Sequence, residues 1–102
     1  MVIELLKVKV PPKEREKYIQ KDAEIWTTAL AKYSGFLGKE VWINPDDDTE
    51  VILINHWATE EQWQAIPKTE MQAISQRFTQ AMGKSYPIIQ SARYQVRKYL
   101  RS

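Results

Sequence analysis

The chain opens on an alternation. From Val2 to Val10, Leu6, Val8 and Val10 fall on one face of an extended strand and Ile3 and Leu5 on the other, with Lys7 and Lys9 entering toward its end. Pro11-Pro12 stops that strand. Pro12, with its fixed φ and missing donor, suits the first position of a helix whose positive end Glu14 and Glu16 complement. The period then becomes helical through Tyr18, Ile19, Ala23, Ile25, Trp26, Ala29, Leu30 and Tyr33, and closes at Ser34-Gly35, where glycine is expected to take the left-handed C′ conformation. Alternation returns over Lys39 to Asn44, and Asn44-Pro45-Asp46-Asp47-Asp48-Thr49 supplies the turn chemistry of a hairpin loop. The returning strand, Glu50 to Trp57, is apolar on both faces. Thr59 followed by Gln62 is a capping-box pattern for a short helix ended by Pro67, and Thr69 followed by Gln72 predicts the same device for a second helix that stops at Gly83. That helix carries Met71, Ile74, Phe78, Ala81 and Met82 at helical spacing. After Tyr86-Pro87 a last strand is expected from about Gln90 to Leu100.

The order β-α-β-β-(α)-α-β predicts an α+β fold, an antiparallel sheet with its helices on one face. The other face is too apolar to meet water. Leaving the aliphatic side chains of the first and third strands wet would forgo roughly 1.5–3 kcal/mol each. A homodimer joined sheet to sheet is therefore expected, because an isologous interface hides the same patch on both copies.

Composition narrows the function classes. The 102 residues suit a single domain over 1–102, and 43% hydrophobic with 27% charged residues is the balance of a globular protein. No cysteine is present, which removes disulfide scaffolds, thiolate metal sites and cysteine nucleophiles together. Glu4 and Lys7 interrupt the first apolar stretch and no later run approaches the ~18 apolar residues of a membrane span, so a cytoplasmic protein without a membrane partner is expected. The net charge of +2 is too small to argue for nucleic acid. Arg93, Arg97, Lys98 and Arg101 interleave with Tyr94 and Tyr99, as in an RNA-binding module, but the third strand lacks the basic-aromatic signature that stacks bases. Asp46, Asp47 and Asp48 lack the spaced oxygen ligands of a calcium loop and read as a solvated turn, so no metal is expected.

The element order, the Gly35-Phe36-Leu37-Gly38 exit from the first helix and the join Trp57-Ala58-Thr59-Glu60-Glu61-Gln62-Trp63 resemble the antibiotic biosynthesis monooxygenase-like family over nearly the whole chain. The resemblance implies a ferredoxin-like fold, a dimeric α/β barrel, and a pocket between sheet and helices in each subunit. Its quinone-forming members oxidise flat polycyclic aromatics with oxygen and no metal or flavin, so no cofactor is expected. Residue by residue, the family's Trp at the start of the join corresponds to Trp57, its downstream pocket aromatic to Trp63, and a substrate-contacting helix arginine to Arg77. The departures place the chain in a branch of its own. Leu53 stands where the monooxygenases have a pocket asparagine. The first strand has no Asn, Ile66 replaces the Trp of the haem-degrading branch, and no His follows His56, which disfavours haem degradation.

The candidate chemistry follows from residue type. His56 is the side chain with an ordinary pKa near neutrality, so it is a general-base candidate, though alternation puts it with Ile52 and Ile54 on the expected dimer face. Asp22 falls within the first helix's apolar stripe; buried there it would accept a proton from a phenol, and at the stripe's wet edge it would do nothing. Asn55 shares the face of Leu53 and Trp57, where an amide either orients a substrate oxygen or serves strand-end hydrogen bonding. Trp26, Trp57, Trp63 and Phe78 suit either the walls of a slot for a planar aromatic or a packed core, with Arg77 as clamp for the ligand's anion. The reading is an enzyme, a cofactor-independent monooxygenase of a small aromatic compound; the alternative is a non-catalytic homodimeric binding or stress-response protein.

Overall fold

The computed structural model describes residues 1–99; the expected strand end at Leu100 and Arg101 of the basic segment lie outside the described residues. Strands β1 (Val2–Lys9), β2 (Phe36–Asn44), β3 (Asp47–Trp57) and β4 (Ile88–Gln95) form one sheet in the spatial order β2-β3-β1-β4. Every neighbouring pair is antiparallel. The two strands that are apolar on both faces, β1 and β3, take the centre, as burial demands.

The first helical rod begins as a 3-10 turn with Pro12 at its first position, becomes α1 (Arg15–Lys21), widens into a π-helical stretch (Asp22–Thr27) and ends in α2 (Thr28–Leu30). Within the wide stretch the Thr28 hydroxyl donates to the carbonyl of Ala23, five residues back, at 3.1 Å. Helix α3 (Glu60–Gln64) is capped as its sequence predicts, the Thr59 hydroxyl accepting from the Gln62 amide at 3.1 Å. Helix α4 (Lys68–Met82) ends on Gly83, whose φ of 81° is left-handed.

Four local expectations are corrected. Gly35 does not adopt a positive φ; it is needed because a Cβ there would lie 2.4 Å from Cβ of Gln62. Thr69 does not cap α4, which starts one residue earlier behind Pro67 with no side-chain cap. The hairpin loop is shorter than six residues of turn chemistry suggest, because Asn44 Oδ1 already accepts from the Asp46 amide at 2.8 Å and the strand resumes at Asp47. Strand β4 starts at Ile88 and ends at Gln95, although the Val96 amide still donates to the Met1 carbonyl.

The sheet and one helix layer make a slab of 36 × 35 × 21 Å. The inner face carries two buried clusters, one around Val8, Val51, Leu53, Tyr18 and Phe78, the other around Leu30, Trp57 and Ile66. Tyr18 meets Phe78 and Tyr86 edge to face at 5.0 and 5.1 Å between ring centroids.

Candidate functional site

A row of polar residues crosses the inner face between those clusters. Strand register aligns Arg93, Glu4, Asn55 and Lys39 side by side on four successive strands, one row beyond Leu6, Leu53 and Val41. Above the row, the helices stand off the sheet and leave a cavity of about 330 Å³. Trp26, Leu30, Trp57, Trp63, Met71 and Phe78 form its apolar walls.

Each polar group reaches the cavity by its element's geometry. Asp22 opens the π-helical stretch and points down onto Lys39, whose ammonium donates to both carboxylate oxygens at 3.0 and 2.8 Å. The side chains are 1% and 5% exposed, so this is a buried ion pair. Burial raises the Asp22 carboxyl above its ordinary value, while the Lys39 charge and hydrogen bonds pull it back. Glu4 accepts a hydrogen bond from Asn55 Nδ2 at 3.0 Å. Its carboxyl is also raised, first by burial, against the Asn55 bond and the Lys39 charge. Arg93 turns outward and pairs with Glu60 at 3.1 Å. At the other end of the cavity, Tyr86 donates to Glu14, and burial and that partner push its hydroxyl up to about 12.

Two buried polar atoms in the cavity wall have no partner among the described residues: Asn55 Oδ1 and Trp57 Nε1. Asn55 is 4% and Trp57 1% exposed. Leaving such groups unpaired costs roughly 1–3 kcal/mol each.

Of the residues singled out by sequence, the structure brings Asp22, Trp26, Asn55, Trp57, Trp63 and Phe78 to one cavity. It does not bring His56 or Arg77 there. His56 lies on the outer face, paired with Glu40 at 2.6 Å, because β3 alternates and Trp57 takes the inward position. Arg77 is exposed on the outer groove between the helices, beside Tyr33 and Glu70, a helical step away from inward-facing Phe78. Of the three acids expected in a turn, Asp46 alone lies in it, while Asp47 and Asp48 open β3, the Asp47 carboxyl held at about 2 by Thr49 and Lys9. Sequence reasoning missed Glu4 and Lys39. Both were readable as charged residues on the apolar face of an alternating strand, Glu4 with Leu6 and Val8, Lys39 with Val41.

A four-stranded antiparallel sheet roofed by helices, with a walled cavity between the layers, defines a ferredoxin-like α+β protein. The antibiotic biosynthesis monooxygenase family model matches residues 1–82, and the chain belongs to that family. Solved structures agree on the fold. A protein of the same family name from Bordetella bronchiseptica is 16% identical, with 97% of each chain covered and a TM-score of 0.71. Another from Deinococcus radiodurans is 16% identical over 100% of this chain and 98% of that one, with a TM-score of 0.69. SnoaB, a cofactor-independent oxygenase from Streptomyces nogalater, is 16% identical over 99% and 97%, with a TM-score of 0.67. No curated protein matches the chain. Among the described residues no helix is long and apolar enough to cross a membrane.

Proposed function

We propose that the protein is a cofactor-independent monooxygenase acting on a flat, hydroxylated aromatic ketone held in the cavity between sheet and helices. The carrying observation is that Asn55 and Trp57, whose Oδ1 and Nε1 have no partner among the described residues, line a cavity walled by Trp26, Trp57 and Trp63. Indole faces suit a planar ring, and the two orphan atoms suit its oxygens. Family membership and the likeness to SnoaB support the oxygenase reading.

The chemistry needs an acidic C–H on the ring system. The substrate loses that proton, the resulting carbanion passes its electrons to dioxygen, and the peroxide formed loses water, so one oxygen atom ends in a new carbonyl and the other in water. The protein contributes shape, a base and a donor to the oxyanion.

Oxygen-electrode assays with anthrone-type compounds test this. Saturable oxygen uptake is expected, with one atom of labelled dioxygen in the product. Trp57→Phe keeps an aromatic ring, though a smaller one, and removes the N–H, and should lower kcat by about 10²–10³, the usual cost of one oxyanion donor. Arg77→Ala should leave turnover unchanged, since Arg77 lies outside the cavity. Tight binding without oxygen uptake would make the protein a non-catalytic binding protein instead.

A further inference from the structure

We propose that Glu4 is the group that takes the proton from carbon in this cavity, with Asn55 as its positioning residue and Trp57 donating to the oxyanion that forms. The inference rests on the proposed function for the ligand class alone, a ring ketone with an acidic C–H and a neighbouring hydroxyl.

Three side chains present themselves as a base, and the geometry separates them. His56 is on the opposite face of the sheet, bonded to Glu40. Asp22 has both oxygens occupied by the Lys39 ammonium and is 1% exposed. Glu4 keeps one oxygen on Asn55 at 3.0 Å, and among the described residues no hydrogen bond reaches its Oε2. Both Lys39 hydrogen bonds go to Asp22, so Glu4 feels the Lys39 charge without an ion-pair contact among the described residues.

The surrounding groups agree with that role. A Glu-Asn pair serving structure alone would close its hydrogen bonds within the protein, yet Asn55 leaves its acceptor open and Trp57, two residues on along β3, leaves its donor open. A ligand hydroxyl satisfies Asn55 Oδ1, and the ketone oxygen Trp57 Nε1–H, once the side chains covering these two atoms move aside. In the step itself the C–H bond breaks, its electron pair moves into the ring and onto the ketone oxygen, and the proton forms an O–H bond on Glu4. Negative charge passes from Glu4 to the ligand, so the cavity's net charge does not change and no new buried charge is created. Burial strengthens Glu4 as a base by raising its carboxyl toward the range of the carbon acid. The other titratable groups around it are Lys39 on β2, Asp22 on the π-helical stretch, Tyr18 on α1, Lys84 and Tyr86 after α4, and Arg93 on β4.

Proton abstraction is read apart from oxygen chemistry by anaerobic exchange of the ring C–H for solvent deuterium, using anthrone as probe. The folded protein should accelerate exchange, with a rate that rises with pH through the ionisation of Glu4 and then levels. Glu4→Gln keeps shape and the bond from Asn55, and should lower the rate by about 10²–10⁴, abolish that pH limb and leave anthrone binding intact, as loss of a general base does. Glu4→Asp, which restores a carboxylate, should recover part of the rate. Exchange that persists unchanged in Glu4→Gln overturns the inference while leaving the oxygenase reading standing. Exchange that depends on Glu4 without aerobic oxygen uptake supports the inference and overturns the oxygenase reading. Absence of both exchange and uptake overturns the two together.

Discussion

Lys39 shows what a single buried charge does to this molecule. Its side chain is 5% exposed and that of its partner Asp22 1%, so neither has water to fall back on. Removing one member of such a pair is far worse than removing both, because the survivor is left desolvated and unpaired. Lys39→Met is therefore expected to cost about 3–5 kcal/mol at pH 7. Asp22→Leu combined with Lys39→Met should recover most of that loss. The sign with pH follows. In the single variant the Asp22 carboxyl rises further above its ordinary 3.8, so the protonated form carries the folded state and the penalty shrinks on acidification. Urea denaturation of the three proteins at pH 7 and pH 5 checks this, and a double variant no more stable than the single would contradict it. The same pair marks a boundary of sequence reading. Asp22 stood out because a helical stripe made it the odd residue, and Asn55 because it shared a face with Trp57. Lys39 and Glu4 passed as ordinary strand charges. Their meaning arises from register: only when β2, β3 and β1 are aligned do Lys39, Asn55 and Glu4 become neighbours, and alternation within one strand holds no information about alignment across three.

Elements were legible where a local signal decided them, and less so where packing did. Thr59 caps α3 through the bond its spacing predicts, and Gly83 ends α4 in the left-handed region. The widened turn over Asp22–Thr27 left no comparable trace, since its side chains read as an ordinary helical stripe. Yet that stretch aims Asp22 at the cavity, in keeping with the concentration of π-type turns at functional sites. Gly35 is a further case. Its place after a helix suggested a backbone reason, but the structure gives a steric one, the approach of α3 to the residue just before β2. The Ala58 amide donates to the Gly35 carbonyl at 2.8 Å, locking that approach, and a methyl group would strike Gln62. Gly35→Ala is thus expected to destabilise by about 1–3 kcal/mol, the cost of overpacking. Pairing it with Gln62→Gly should relieve the clash and restore part of the loss in thermal unfolding. A conformational role for Gly35 would leave the double variant no better than the single.

For the whole molecule, the question is what covers the outer face. Register places Ile3, Leu5, Ile52, Ile54, Trp42, Ala92 and Tyr94 there, and the helices lie on the other side. Trp42 is 46% and Tyr94 54% exposed, at opposite edges of the sheet, so apolar residues reach from β2 to β4, with Ile54 buried between them and Lys7, Glu40 and His56 interspersed. A patch of that extent is characteristic of an interface. Pairing two copies face to face buries it on both at once and turns two open slabs into a closed barrel. We expect the protein to sediment at twice the 12.0 kDa of one chain. Because Trp42 and Tyr94 are half exposed in a single copy, replacing each with glutamate should cost the isolated fold little, while bringing unpaired charges into the interface of a pair. Trp42→Glu/Tyr94→Glu should therefore sediment as a single chain with its circular dichroism preserved. A wild-type protein that runs as one chain at micromolar concentration would show that this face meets water, and the argument from its apolar residues to a partner would fail.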